Sequence, residues 1–487
     1  MSVAPRIPTP TLIVFGLVNL PLSMLLSPTA AVLPNFYLEH SAIGLGALAT
    51  VTLIARLFDG VTDPLIGLLS DRSGRRKPWM VAGALVTALG VWFLFNPAPT
   101  AGFGYLLAWY LVVTLGWTLV EIPHTAMAAE LSNDYHERSR IVLWRQLLGF
   151  AGGLLFMASP MVLIGGTTAF GPEVMRALAV FVIAALPLTV ALMCWQVAEP
   201  ARLASSRKIR PADLWLSLRH TPPLRYFLLT QILFGLATGA VSSLFVIYAS
   251  QYLGLGEKVP HIAMPMTLAM AAGMPLWLRL MRRVDKHRAW ALAALGMIAT
   301  LLLVPWVDPG PEALGPMAAI MTAFGFFLGL SSIALPSLLA DIVDYDLWRN
   351  GKDRAAILFS FQALVTKLNQ GVGGAIGLAI PTLFGFTGRG ENTDAAVAGL
   401  KLAFVAWPCL LLVPMLLLAW HYPLDRRAQG ILARRLASRR ATWSSGDTVS
   451  RSSRSVGRRA GGHRGGGLRF ARRPGHGRSA PDPTRGE

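Results

Sequence analysis

Hydrophobic residues in this chain fall in long blocks, without the strict alternation of a half-buried strand or the single apolar stripe of a surface helix. Twelve apolar runs can be traced, near 11–37, 42–69, 79–96, 103–129, 141–165, 177–197, 226–253, 260–281, 289–307, 312–340, 355–385 and 396–421. Each has about the 20 residues that a helix needs to cross the hydrocarbon core of a bilayer. A backbone inside lipid has to satisfy its own hydrogen bonds, so runs of this kind predict helices. The longest polar stretch between runs, 198–225, separates six of them from six. The expected fold is therefore all-α, a polytopic membrane protein with twelve transmembrane helices in two six-helix halves. The halves are 1–197 and 226–423, joined by a cytoplasmic linker, 198–225, and followed by a basic, mostly disordered cytoplasmic tail, 424–487.

Composition agrees with this and adds orientation. Of 487 residues 54% are hydrophobic and 14% charged, against about a quarter charged in an ordinary soluble domain. The net charge of +19 would suggest a nucleic-acid partner on a soluble protein, but its placement argues otherwise. From Leu424 onward sixteen Arg stand against Asp425, Asp447, Asp482 and Glu487, so the tail alone holds +12. Within the membrane domain the basic residues cluster on one side: Arg72, Arg75, Arg76 and Lys77 follow the second run, and Arg279, Arg282, Arg283, Lys286 and Arg288 follow the eighth. The stretch from Asn96 to Gly102, on the other side, carries no charge. Loops kept in the cytoplasm are enriched in Lys and Arg, so both termini are expected in the cytoplasm, and the chain is expected in a bacterial cytoplasmic (inner) membrane. Cys194 and Cys409 lie inside apolar runs and imply no disulfide framework. The first apolar run is too long for a cleaved signal peptide and leads straight into a second.

The loop after the second run reads Gly67-Leu-Leu-Ser-Asp71-Arg72-Ser-Gly74-Arg75-Arg76-Lys77. It is similar, position for position, to the loop signature G-x-x-x-D-R-x-G-R-R-K of the major facilitator superfamily. Two six-helix halves with a substrate site between them is the architecture of that superfamily. A degenerate echo follows the eighth run, with Arg282-Arg283-Val284-Asp285-Lys286. An acid at a helix end can pair with a nearby Arg and accept from a neighbouring helix N-terminus. Gly67, Asp71, Arg72, Gly74 and Arg75, with Asp341 at the end of the tenth run, are thus expected to form a cytoplasmic gate; the plainer reading is a basic loop that sets topology.

Ionisable groups inside apolar runs cost roughly 2.5 to 3.5 kcal/mol each on insertion scales and point to function. Six stand out: Arg56, Asp59 and Asp63 in the second run, Glu121 in the fourth, Arg145 in the fifth and Lys367 in the eleventh. Three are positive and three negative, the balance expected of groups that converge on one polar cavity. Asp59 and Asp63 are four apart and share a helix face, with Cβ atoms about 5 to 6 Å from each other. Two carboxylates that close repel unless a cation lies between them. The pair can bind Na+, carry a proton, or form a structural Arg-Asp pair beside a helix-end acid.

The segment Arg56-Leu-Phe-Asp59-Gly-Val-Thr62-Asp63-Pro64, with Lys77-Pro78-Trp79 after it, resembles the helix-two signature of the glycoside-pentoside-hexuronide:cation symporters, the melibiose-permease branch of the superfamily. Glu121-Ile-Pro123, Ala129-Glu130-Leu131, Ala340-Asp341-Ile-Val-Asp344-Tyr345 and Ser360-Phe-Gln362 through Lys367 extend the resemblance over roughly residues 10–425. It implies a cation site from Asp59, Thr62, Asp63 and Thr118, with Thr62 where the melibiose carrier has Asn. It places Glu121 on the family's sugar-binding carboxylate, Arg145 on its Arg partner, and Lys367, near Arg56, in the coupling network. Two positions depart. The family's helix-one acid aligns with Val18, beside Asn19, and Thr125 replaces an aromatic; Asn19 and Thr125 complete the expected solute set.

The reading is a secondary transporter: symport of a sugar, glycoside or related polar solute with Na+ or H+ by alternating access. The implied partners are the solute, the coupling cation and the bilayer; no other cofactor and no nucleic acid is expected, and the protein is expected to be a monomer. The missing helix-one acid leaves a carrier of an amphipathic lipid or drug as the alternative. A membrane sensor with a nucleic-acid-binding tail is a third reading, although the Arg of the tail are interleaved with Gly, Ser and Pro and form no recognition motif. No phosphate loop, metal-ligand cluster or nucleophile-base set suggests an enzyme. His124, beside Glu121, reads as a cavity-lining or satisfied helix residue. Residues 424–440, with Ile431, Leu432 and Leu436 among Arg pairs, read as a short amphipathic helix on an anionic leaflet.

Overall fold

A computed structural model describes residues 7–41, 43–132, 135–164, 170–199, 219–350, 354–387, 392–432 and 434–435. Among these residues the secondary structure is helical throughout, with no strand. The first apolar run is three consecutive helices, α1 (Thr9–Leu17), α2 (Asn19–Ala31) and α3 (Leu33–His40). Pro21 and Pro34 remove ladder N–H groups in this run, and the helix is interrupted at Val18 and Val32. The runs that follow form α4 (Leu45–Ser73), α5 (Lys77–Phe95), α6 (Phe103–Glu130), α7 (Tyr135–Ser159) and α8 (Pro172–Gln196). After the linker come α9 (Pro222–Ile247), α10 (Val259–Arg283), α11 (Lys286–Leu303), α12 (Leu314–Gly329), α13 (Ser331–Asn350) and α14 (Ala355–Leu383). The last run is α15 (Asp394–Lys401) and α16 (Trp407–Trp420), joined by a π turn over Leu402–Ala406.

All twelve apolar runs are thus helical, and ten stretches among the described residues are long and apolar enough to cross a bilayer. Packing follows a pattern that occurs twice. The first run packs on α7, α4 on α6, and α5 on both α6 and α8; in the same order α9 packs on α14, α10 on α12, and α11 on both α12 and α16. Helices of the two sets meet at α2 with α9, α4 with α14, and α7 with α10. Without a hydrophobic force between helices in lipid, close approach through small residues supplies much of the contact. A Cβ on Gly152 of α7 would lie 2.2 Å from the Leu20 carbonyl oxygen of α2. Its counterparts are Gly239 on α9, 2.1 Å from the Gln370 oxygen, and Gly373 on α14, 2.3 Å from the Leu236 oxygen.

Residues up to Gly430 belong to one compact unit and Ile431 onward to another. The chain is helical at 426–430 in the first unit and at 431–432 and 434–435 in the second. Most of the expected linker, 200–218, and of the expected disordered tail, 436–487, lies outside the described residues.

Candidate functional site

The second run folds as the single long helix α4 although Pro64 lies inside it. Proline has no N–H and leaves the carbonyl four residues back, on Gly60, without its helical donor. Asp59 and Asp63 flank this gap. Both are buried, with 5% and 9% of their surface exposed, so each needs a partner. The Arg56 guanidinium donates to Asp59 Oδ2 at 3.2 Å, within the same helix. Asp63 is served from the other set of helices: Lys367 Nζ of α14 lies 2.5 Å from its Oδ2. The ammonium also sits 4.4 Å from the centre of the Trp117 ring of α6, where the π face favours a cation.

Each carboxylate therefore spends one oxygen on a base. The others, Asp59 Oδ1 and Asp63 Oδ1, are buried and have no hydrogen-bond partner among the described residues, and the same holds for the hydroxyl of Thr118 on α6. Thr62 donates to the Phe58 carbonyl at 2.9 Å, which leaves its oxygen able to accept. Among the described residues no three His, Cys, Asp or Glu side chains group as metal ligands; the set on hand, two carboxylates and hydroxyls, suits a monovalent cation. Beside it an opening of about 400 Å³ is lined by Arg56 and Asp59 with Leu25, Tyr110, Val113 and Trp117.

A second cluster lies along α6. Arg145 of α7 donates to Glu121 Oε1 at 2.8 Å, and Thr125, one turn on, donates to the same oxygen at 2.9 Å. Arg145 also donates to Asn19 Oδ1 at 3.3 Å, and the Asn19 amide donates to the Arg145 carbonyl oxygen at 3.3 Å. Val18 is fully buried in the core, while the helix restart at Asn19 turns that amide toward the cluster. Every residue expected to touch solute is thus in one hydrogen-bonded group, and the six intramembrane charges resolve into three ion pairs. His124 is buried, stacks on Phe15 with ring centres 4.3 Å apart and has its Nε2 2.9 Å from the Phe15 carbonyl oxygen.

Where α4 ends and α5 begins, the ion pairing departs from the expected set. Gly74 ends α4 in the left-handed region, at φ 75°, where glycine pays no steric penalty. Arg72 and Arg75 are exposed and make no ion pair among the described residues. The pairing arginine is Arg76, which is buried: it reaches Asp71 Oδ1 at 2.9 Å and Glu130 Oε1 at 2.6 Å, and its backbone N–H donates to Glu199. Glu130 and Glu199 follow the fourth and sixth runs. As the first acids past those runs, facing a basic loop, they carried the signal that could have identified them. The second set of helices repeats the arrangement. Lys286, at the start of α11, pairs with Asp341 at 2.8 Å, and Gln429, past α16, donates to the same carboxylate. A Cβ on Gly67 would make only an ordinary contact, 3.6 Å from Ile122.

Residues 14–426 match the MFS/sugar transport protein family. The chain is 27% identical over 369 residues to the inner membrane symporter YicJ of Escherichia coli strain K12, covering 70% of this chain and 75% of that protein. It is 22% identical over 416 residues to the glucuronide carrier protein homolog of the same organism, covering 83% and 90%. Among solved structures it is similar in fold to the nucleoside transporter NupG, with a TM-score of 0.63 at 13% identity, over 84% of this chain and 98% of that one. The chain belongs to the MFS/sugar transport protein family, the glycoside-pentoside-hexuronide:cation symporters of the major facilitator superfamily, and is a multi-pass membrane transporter, not an enzyme.

Proposed function

We propose that this protein imports a sugar or glycoside together with Na+ across the bacterial cytoplasmic membrane, as a monomer with both termini in the cytoplasm. The observation that carries this reading is the trio of buried oxygens without partners, Asp59 Oδ1, Asp63 Oδ1 and Thr118 Oγ1. Buried polar atoms are normally satisfied, and a group of them left open calls for a ligand. A proton would occupy one of these oxygens; a sodium ion uses several at once, the Thr118 hydroxyl included. The solute is bound by Glu121, Arg145, Asn19 and Thr125, whose charged and amide groups suit the vicinal hydroxyls of a sugar. The relatives named as a symporter and as a glucuronide carrier homolog support both halves of the reading.

Helix α6 links the two events. Trp117 faces the Lys367 ammonium that serves Asp63, its neighbour Thr118 is assigned to the same proposed site, and Glu121 lies four and three residues further on, so cation and solute would act on one helix face. The three ion pairs leave the empty site neutral, and Na+ adds one charge. Coupling follows if both ligands favour the same arrangement of residues 1–197 against 226–423, since each then raises affinity for the other. Arg76 and Lys286 hold the cytoplasmic ends.

The test is uptake of a panel of labelled glycosides into membrane vesicles with Na+ and H+ gradients imposed separately. Accumulation driven by Na+ and abolished in Asp59→Asn is expected. Accumulation that survives Asp59→Asn removes the cation site from the mechanism. Accumulation driven by a proton gradient alone overturns the choice of ion, and competition by lysolipids but not sugars overturns the choice of solute.

A further inference from the structure

Gly371 lies on α14 one turn after Lys367, and the two share a helix face. A Cβ at this position would sit 1.9 Å from Arg56 Cγ, 2.3 Å from its Cδ and 2.7 Å from its Nε. The stem of Arg56 therefore runs across the bare backbone of α14 before its guanidinium reaches Asp59 at 3.2 Å. Glycine is required at 371 for space alone, because its backbone is ordinary helix. The same two helices are held close on either side: a Cβ on Gly46 would lie 3.2 Å from Thr382, and one on Gly60 would lie 3.3 Å from Leu368.

One face of α14 thus sets both counter-charges of the carboxylate pair. Lys367 neutralises Asp63 directly, at 2.5 Å, and Gly371 provides the surface that keeps Arg56 on Asp59. We infer that Gly371 is a positioning residue for the cation site, through which the packing of α14 on α4 controls how strongly Asp59 and Asp63 attract a cation. While the helices are packed, each carboxylate has a base on one oxygen and its field is largely cancelled. When α14 moves away, Lys367 leaves with it and Arg56 loses its support, so both carboxylates regain attraction for a cation. The inference rests on the proposed role of Asp59 and Asp63.

The experiment is calorimetric Na+ titration of the purified full-length protein, with glycoside counterflow in vesicles. Gly371→Ala pushes the Arg56 stem aside, and the Na+ concentration at half-saturation is expected to fall about tenfold while counterflow slows. In an Arg56→Ala background the same change meets no stem, so adding Gly371→Ala is expected to leave Na+ affinity where Arg56→Ala alone puts it. Unchanged or weaker Na+ binding in Gly371→Ala, or equal effects of the glycine change in both backgrounds, would overturn the inference. If Gly371→Ala does not fold but the double variant does, the steric contact is established; if neither folds, the glycine serves helix packing only and the inference fails. Asp59→Asn run in parallel separates the two layers. Intact Na+ binding there removes the cation site itself, whereas its loss beside an unaffected Gly371→Ala removes only the role of Gly371.

Discussion

At the scale of single residues, the membrane interior sets the terms: an isolated charge there is expensive, and each of the three acids has a base within 3.2 Å. The pairs differ in what they leave unused. One oxygen of each, Asp59 Oδ1 and Asp63 Oδ1, is buried and unpartnered among the described residues, whereas Glu121 Oε1 is shared by Arg145 and Thr125. Glu121→Gln keeps an acceptor for Thr125 and removes the charge opposite Arg145. Solute affinity is expected to fall about 10- to 100-fold, the range for losing a charge-assisted hydrogen bond. Na+ affinity in the absence of solute is expected to stay within about twofold, and binding titrations with each ligand alone check both; a parallel loss of Na+ binding would contradict separate clusters. All six charges were readable in the sequence, because charged residues in apolar runs are conspicuous. Their pairing was legible in part: an Arg-Asp pair within the second run and Arg145 as the partner of Glu121 were already among the expectations, but the base of Asp63 was not. Lys367 meets Asp63 across 304 positions, and no local pattern specifies a partner that far away. Asn19 shows the same limit: the interruption at Val18, which the apolar pattern does not reveal, accompanies its contact with Arg145.

At the scale of helices, hydrophobic length was enough to locate the helical runs, ten of them long and apolar enough to span among the described residues, since a backbone in lipid has no alternative to internal hydrogen bonding. What length does not convey is how closely neighbours approach. Gly239 and Gly153 are both helical glycines, yet a Cβ on the first would lie 2.1 Å from a backbone oxygen of α14, while the second has nothing within 4 Å. Gly239→Ala is expected to destabilise the protein by about 1 to 3 kcal/mol, the usual cost of overpacking. Gly153→Ala is expected to be neutral or to stabilise by less than about 1 kcal/mol. Thermal unfolding of the two variants in detergent compares them, and equal melting temperatures would contradict the close contact of α9 with α14. The loop glycine Gly74 is a different case, readable from the motif because the helix end there needs a positive φ.

For the molecule as a whole, the helix ends around Asp71 and Asp341 are tied by two similar networks. Arg76 connects the ends of α4 and α6 and the chain past α8, through Asp71, Glu130 and Glu199; Lys286 connects α11 to α13 through Asp341, joined by Gln429. Arg76→Ala leaves Asp71 and Glu130 without their shared base, while the backbone N–H to Glu199 is kept. Transport rate is expected to drop by more than about tenfold, as for loss of a largely buried ion-pair partner, while equilibrium solute binding is retained. Exchange of charges in Arg76→Glu with Glu130→Arg should restore part of the rate; measured counterflow and binding on the same preparations decide, and equal loss of both would point to misfolding instead. Read as a sequence, the chain determined its helical, membrane-spanning class, its division into two sets of six runs and the positions of the costly charges, because these depend on local composition and on the physics of lipid. Tertiary structure alone decided that Asp63 takes Lys367, that Arg76 and not Arg72 or Arg75 pairs with Asp71 and Glu130, and that Gly371 lies under Arg56. Those outcomes depend on how separate helices come together, across 54 positions for Arg76 and Glu130 and 304 for Lys367 and Asp63, which is set by helix packing and leaves no trace in the order of residues along either helix.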